Sequence, residues 1–514
     1  MKIERTRNAV VNTIFGWFNT ALMILFPFVI RMIIIHTIGI EYLGLNSLFT
    51  SILRILNLSE LGVGSAIVYS MYKPIACDNH DQICALLALY QKIYRIIGFV
   101  ILTVGLLLIP FLPKLINGEP PADYNLYVLY LIYLANTVLS YWLLAYRSSL
   151  LNAHQNTAIL SKVNIIGNLV MYVLQIAMLT LTRNYYLYVL AIPVSTIIIN
   201  LLNAYITIKK YPQYVCKGSV DAGTISGIKK RVTGLMFDKV AMASRNAFDS
   251  VIASAFLGLQ VVAIYNNYYE IIAAITSVLS VILNSIAAGI GNSLVVESNE
   301  KNENDMNSIN FLFLSISGFC FACLLTLYQP FMSLWMGKEN VFPTYIMMAF
   351  SFYFLSQKAE SIIGRYYDAA GLWWHGKWKG VIEAATNLLL NIVLGKLFGV
   401  IGIVAATIIS MLVVALPLSA HFVYKHVYNK SPKHFLVTQY MYIALLGVIG
   451  FLTYFGCESV IFILGIQNLI LEIVLKIPIT MIFYSIIYLI VFSWQPHFKA
   501  SREWLVAHIR IIRK

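Results

Sequence analysis

The sequence predicts an all-α, polytopic membrane protein of about 14 transmembrane helices, arranged as two pseudo-symmetric six-helix bundles plus two C-terminal helices. Three observations predict it. Hydrophobic residues make up 60% of the chain and charged residues only 11%, against about 25% charged in ordinary soluble domains; a soluble protein of this composition would be coated in apolar surface. Apolar runs of about 20 to 26 residues, each long enough to cross the hydrocarbon, recur between short polar breaks. The basic residues are also asymmetric about those runs. Of the 36 Lys and Arg, about 26 fall in segments assigned to the cytoplasm and about five (Arg31, Lys114, Arg183, Lys338, Lys396) at the outer ends.

Taken in order, the first run, 12–35, follows Lys2, Arg5 and Arg7. It is longer than a signal-peptide core and lacks a small-residue cleavage site, so it reads as a retained helix with a cytoplasmic amino terminus. Runs at 43–69, 93–116, 125–146, 162–182 and 186–208 complete a first bundle over 1–208. Residues 209–234 form the longest and most basic break; Gly218, Gly223 and Gly227 loosen it, and it reads as a cytoplasmic basic linker and hinge. A second bundle over 235–424 follows from runs at 235–257, 262–291, 310–332, 344–365, 380–397 and 400–424. Runs at 437–457 and 468–493, with a basic cytoplasmic tail, fill 425–514. The outer connections are all of ordinary connector length.

The halves echo each other. Ile38-Gly39-Ile40-Glu41 ahead of Gly44-Leu45-Asn46-Ser47 lines up with Leu257-Gly258-Leu259-Gln260 ahead of Ala263-Ile264-Tyr265-Asn266. Each stretch joins an odd-numbered span to the next through a tight outer turn. Such a repeat is the arrangement of alternating-access carriers.

Several function classes drop out. The net charge of +14 lies where it orients the chain and meets anionic lipid, so it argues for membrane lipids as partners and for no nucleic acid. Cys320 and Cys323 form a C-x-x-C inside an apolar run with no His or acid beside them, which reads as packing rather than a metal site. The nine His are spread among loops and ends, and no zinc-protease, Walker or nucleophile-elbow motif is present. The chain is therefore expected to be no enzyme and to need no cofactor. Transport, if coupled, would draw on H+ or Na+, or on downhill removal of cargo.

The stretch Gly39-Ile-Glu-Tyr-Leu-Gly-Leu-Asn-Ser-Leu-Phe49 resembles the first outer turn of Wzx-type polysaccharide repeat-unit flippases. Ser59-Glu-Leu-Gly-Val-Gly-Ser-Ala-Ile67 leading into Tyr72-Lys-Pro74 is similar to the same family. So are Val262-Ala-Ile-Tyr-Asn-Asn-Tyr268, Ala288-Gly-Ile-Gly-Asn292, Pro330-Phe-Met-Ser-Leu-Trp-Met-Gly337 and Ala369-Ala-Gly-Leu-Trp-Trp-His-Gly-Lys-Trp378, followed by Glu383, Asn387 and the Gly399-Val-Ile-Gly-Ile403 turn. The resemblance spans residues 39 to about 410 in the family's order. It implies the multidrug/oligosaccharidyl-lipid/polysaccharide exporter superfamily, a place in the bacterial cytoplasmic membrane, and a polyprenyl-diphosphate-linked oligosaccharide as cargo. The partners implied are a polysaccharide polymerase and its chain-length machinery. A lipid II flippase or a cation-coupled drug exporter of the same superfamily is the alternative; a membrane polymerase fits less well because the outer loops are short.

Ionisable residues inside spans are costly, by at least about 2.5 kcal/mol each, and so must face a cavity or a partner. Arg54 lies roughly 16 Å into the second span, and Glu60, six residues on, sits about 120° around the helix, so the two cannot pair along one face. Leu53-Arg54 with Glu60 resembles a pattern of the lipid II flippase family, in which the arginine lines a cationic cavity for the diphosphate; here Leu61 replaces the glycine after the acid. A guanidinium fork suits a diphosphate, but a structural arginine bonded to carbonyls would look the same. In the seventh span Asp238, Arg245 and Asp249 share a stripe, with Lys239 off it. That stripe reads either as a hydrophilic path or as an Arg245–Asp249 pair four residues apart. Asp249 and Glu270 are the candidates for ion coupling, and Asp249 sits where the resembled family tends to have an acid. Lys358 is the deep cation of the tenth span. Tyr265, Asn266 and Tyr268 offer rings and amides for sugar hydroxyls or for helix packing. Asp238, Lys239, Arg365 and Asp368 mark a cytoplasmic gate or a snorkelling boundary. Glu472 and Lys476 read as a structural i, i+4 pair.

Overall fold

The computed structural model describes residues 5–57, 62–118, 121, 123–154, 156–373, 375–495 and 498–503, and within them all side chains but those of 5–15, 17, 230, 231, 234–246 and 288. Every regular element among them is helical. In chain order these are α1 (Arg5–Thr37), α2 (Ile40–Leu56), α3 (Val63–Ala76), α4 (His80–Leu108), α5 (Leu126–Trp142), α6 (Ser148–Ala153), α7 (Thr157–Leu181), α8 (Tyr185–Lys210) and α9 (Ala222–Leu257). There follow α10 (Leu259–Val296), α11 (Asn299–Met336), α12 (Thr344–Ala359), α13 (Ser361–Ala369), α14 (Lys377–Phe398), α15 (Val400–Ile409), α16 (Leu416–Val423), α17 (Lys433–Ile463) and α18 (Leu469–Phe492). Turns of π-helix at Ser410–Ala415 and Tyr424–Tyr428 carry α15 and α16 on as one apolar span, Val400–Tyr428.

Ten helices among the described residues are long and apolar enough to cross a membrane, and eleven if the bent pair Leu126–Trp142 and Ala145–Ala153 is one span. The chain is a multi-pass membrane protein. Its outward faces carry what lipid requires: on α18, Ile470, Val474, Ile477 and Met481 are each at least half exposed.

The expected count of fourteen is not reached as fourteen straight spans, and the reason is local. The run expected at 43–69 is two helices, α2 and α3, with Gly62 at φ +93° capping the second. The run at 125–146 bends by 45° past Trp142, where Leu144 adopts φ +55°. The run at 344–365 breaks at Glu360, which ends α12 and starts α13. Hydropathy averaged over a span is blind to all three, because the few polar residues at each break are outweighed by the apolar runs around them.

The chain divides into two compact units, Met1–Ala263 and Ile264–Lys514. In the first, α7 packs on α1 and α8, α5 on α4 and α8, and α2 on α9. In the second, α11 is the central helix, packed on α12, α17 and α18, while α14 pairs with α15. The repeated outer turns take the same form: Gly39 at φ +113° ψ +160° starts α2, and Gly258 at φ +92° ψ +171° separates α9 from α10. No side chain is comfortable there, so the glycines turn the chain between helices within a single residue.

The linker expected to be loose is tied down. His154 stacks on Tyr211 with ring centroids 4.3 Å apart, Arg147 donates to the Tyr214 carbonyl at 3.0 Å, and Asn156 donates to the Tyr211 hydroxyl at 2.8 Å. Asp221 then caps α9, accepting from the Thr224 amide at 2.8 Å and its hydroxyl at 2.7 Å, which holds the Asp221 carboxyl below its ordinary range. The compact units part at Ala263–Ile264 rather than within 209–234.

Candidate functional site

In the first unit, α2 presents Thr50, Leu53, Arg54 and Asn57 at helical spacing, and α5 presents Tyr133, Asn136 and Thr137 in the same way. Together with Ile192 of α8 they enclose a cavity of about 240 Å³. The polar wall is braced from behind. Tyr133 donates to Asn46 Oδ1 at 2.8 Å, Thr196 to Asn136 Oδ1 at 2.7 Å, and Tyr141 to Asn57 Oδ1 at 3.2 Å. With those oxygens occupied, Asn57 and Asn136 keep their NH2 groups as donors. Arg54 is exposed in this opening and has no ion pair or hydrogen bond among the described residues. A guanidinium with no partner among the described residues, flanked by amide donors, is complementary to a ligand rich in acceptors, such as a phosphate.

A second opening in the same unit, of about 530 Å³, lies beside the start of α3. Gly62 and Ser65 leave room there, and Tyr69, Tyr72, Tyr90 and Asn152 supply rings, hydroxyls and an amide. The sequence analysis missed these residues and the Asn57–Asn136–Tyr133 wall. The i, i+4, i+7 spacing of Thr50, Arg54 and Asn57 is the signal that could have revealed the α2 side of the wall; no sequence signal ties the α5 side to it.

Of the other expected site residues in this unit, Asp249 is buried on α9, 1% exposed. Glu60 lies outside the described residues, and so do the side chains of Asp238, Lys239 and Arg245, although the α9 backbone that carries those three is described.

In the second unit, Lys358 is 3% exposed near the end of α12. Its ammonium donates to Thr276 Oγ1 at 2.7 Å and to Gln357 Oε1 at 2.9 Å, and lies 5.0 Å from the centre of the Phe354 ring. No carboxylate among the described residues forms an ion pair with it, so neutral oxygens and a ring face carry its charge. Tyr268 is fully buried and works as a brace. Its hydroxyl donates to Gln329 Oε1 at 2.7 Å and accepts from the Phe342 amide at 3.2 Å. Tyr265 is also buried, edge-on to Phe350 at 5.0 Å. Asn266 and Glu270 are half-buried. Arg365 donates to Asn284 Oδ1 at 3.1 Å, and the exposed Asp368 accepts from Trp373 Nε1 at 3.1 Å. Within this unit Lys358 and the 265–270 cluster are joined through α10, which bears both the cluster and Thr276.

Lys476 has a different setting. It is 2% exposed and bonded to both Glu472 and Glu458, the latter from α17. The pair expected from spacing is thus a triad. Among the described residues no group of three His, Cys, Asp or Glu could hold a metal ion.

A family model described as "Polysaccharide biosynthesis protein" matches residues 10–287, more than half of the chain. The chain belongs to the polysaccharide biosynthesis protein family. Comparison with curated protein sequences gives no match. Among solved structures, the chain is similar to the lipid II flippase MurJ in an inward closed conformation, with a TM-score of 0.65 and 16% identity over 93% of this chain and 99% of that one. It is also similar to an inward-facing multidrug resistance MATE family transporter of the MOP superfamily, at TM-score 0.63 and 14% identity over 81% and 95% of the two chains. The Vibrio cholerae MATE transporter VcmN matches at TM-score 0.57 and 15% identity, over 84% and 99%. These likenesses show that this family member shares the fold of those proteins.

Proposed function

We propose that this protein is a flippase moving polyprenyl-diphosphate-linked oligosaccharide repeat units from the inner to the outer leaflet of the bacterial cytoplasmic membrane, with both termini in the cytoplasm, for capsule, O-antigen or exopolysaccharide synthesis. The observation that carries the reading is Arg54: a cation in the last turn of the apolar helix α2, with no partner among the described residues, exposed in a cavity walled by amide donors. A membrane protein keeps such a charge where a ligand or water meets it. An anionic headgroup is the complementary cargo, and membership of a polysaccharide biosynthesis family supports a sugar beyond the phosphates. The rings and hydroxyls around Tyr69, Tyr72 and Tyr90 offer that sugar stacking faces and partners.

Movement is by alternating access, with Lys358 as a further contact to the headgroup and Asp249 or Glu270 as the carboxylate that takes up H+ or Na+. Asp238, Lys239, Arg365 and Asp368 belong to the cytoplasmic gate, and a polymerase with its chain-length machinery removes the product outside. The fold shared with a lipid II flippase favours one second reading, in which the headgroup carries the peptidoglycan precursor. A deletion strain separates the two. Lipid-linked repeat units should accumulate on the cytoplasmic leaflet while cell-wall synthesis continues; normal surface polysaccharide in that strain would sink the proposal.

A further inference from the structure

The second unit contains an opening of about 420 Å³ that has no part in the reading above. It lies where the polar start of α11 faces the first turns of α17, beside the π-turn at Tyr424–Tyr428. Glu303, Asn307 and Asn310 fall at i, i+4 and i+7 on α11, the spacing of one helix face. Phe435, Gln439 and Tyr442 do the same on α17.

The charge at this opening is already balanced, because Lys430 is paired with Glu303. The floor, however, is unbalanced in hydrogen bonding. The Ala359 carbonyl can only accept, and it takes the Gln439 side-chain NH2 at 2.6 Å. Gln439 Oε1 must therefore accept, and it takes the Asn310 NH2 at 2.7 Å. This relay fixes the Asn310 amide with its oxygen turned the other way. Asn310 is 3% exposed, lines the opening, and its Oδ1 has no hydrogen-bond partner among the described residues. A buried acceptor left in this state calls for a donor.

We propose that this opening binds a neutral polyhydroxylated group, the sugar of a glycolipid headgroup or of a soluble glycoside. A phosphodiester carries acceptors only, so it would meet the Asn310 oxygen lone pair to lone pair. A hydroxyl donates to it. Asn307 and Thr438 on the two walls can serve further hydroxyls, and the Tyr424 and Phe435 rings suit the apolar face of a pyranose. The size is that of an ordinary small-ligand site. Nothing in this inference depends on Arg54.

The test uses the full-length protein in detergent with three probes: monoglucosyl diacylglycerol, phosphatidylethanolamine and methyl β-glucoside. Native mass spectrometry should find the glucosyl lipid retained at least tenfold better than phosphatidylethanolamine, whose ammonium is the competing kind of donor. Asn307→Trp and, from the opposite wall, Thr438→Phe should each lower that retention at least tenfold. Displacement of the lipid by millimolar methyl β-glucoside would assign the site to the sugar alone; retention despite it would assign the site to a membrane-anchored glycoside. Equal retention of both lipids, no retention of the glucosyl lipid, or unaltered retention in whichever filling variant folds would overturn the proposal.

Discussion

Replacing Arg54 by Ala should separate function from stability, and the structure sets the size of each effect. The guanidinium has no hydrogen bond or ion pair among the described residues and is exposed in its cavity. Its removal therefore deletes no hydrogen bond or ion pair among the described residues, and stability should change by no more than about 0.5 kcal/mol. The ligand is affected differently. A charge-assisted pair between an arginine fork and a phosphate is worth about 1.5–3 kcal/mol, which corresponds to roughly ten- to a hundredfold weaker binding. Arg54→Lys keeps the charge but loses the planar fork and should fall between wild type and Ala. The assays are surface polysaccharide in complemented deletion strains and thermal unfolding of the same purified variants. Full export by Arg54→Ala would remove this residue from the route. A large drop in unfolding temperature that tracks the loss of export would show a structural arginine instead.

The other predictions test the scaffold. Gly44→Ala would place a methyl carbon 2.2 Å from the Leu259 carbonyl oxygen; because backbone cannot yield as a side chain can, it should cost about 1–3 kcal/mol, read as lower unfolding temperature and yield. Burial holds the His154 imidazole below its ordinary value of about 6.5. Its neutral form is the one that fits, so the stability it lends is complete above that value and is lost as pH falls through the lower folded value. Trypsin cleavage at Lys209 and Lys210 should quicken as pH is lowered past 6.5, with a trypsin-activity control at each pH, and His154→Phe should flatten that dependence. Lys476→Ala leaves two carboxylates without their cation and should cost about 3 kcal/mol, at the low end for a broken buried pair because Glu458 is 37% exposed. Combining Lys476→Met with Glu458→Gln and Glu472→Gln should restore most of it, which the same unfolding measurement would show.

What could be read in the sequence follows from which physical signals are local. Spans such as 162–182 and 186–208 reappear as α7 and α8, because apolar length is a property of the segment itself. The Gly39 and Gly258 turns were legible for the same reason: only glycine tolerates that backbone, so the residue type announces the conformation. The break at Glu360 was not legible, since it depends on Lys379 of α14 and Ser419 of α16, both of which bond the Glu360 carboxylate. Nor was the anchoring of Tyr211 and Tyr214, in a break where Gly218, Gly223 and Gly227 suggested slack, because His154, Arg147 and Asn156 arrive from elsewhere in the chain. At the site, Arg54 could be picked out as a charge in an apolar run. Its wall could not be, because Asn136 and Tyr133 come from a helix some eighty residues away.

Three buried or intramembrane cations now rank by what surrounds them, and that ranking orders their roles. Lys476 meets two carboxylates and is electrically satisfied within the protein, so a ligand has nothing to gain from it. Lys358 meets a hydroxyl, an amide oxygen and a ring face, which orient it without cancelling its charge. Arg54 meets none of these among the described residues and opens onto a cavity. In a low-dielectric medium an uncancelled charge is costly at rest, and that cost is recovered only when a counter-charge arrives. In the proposed flippase that same cost would make Arg54 effective as a binding element: an anionic headgroup entering the cavity would relieve it, and the headgroup's departure would restore it.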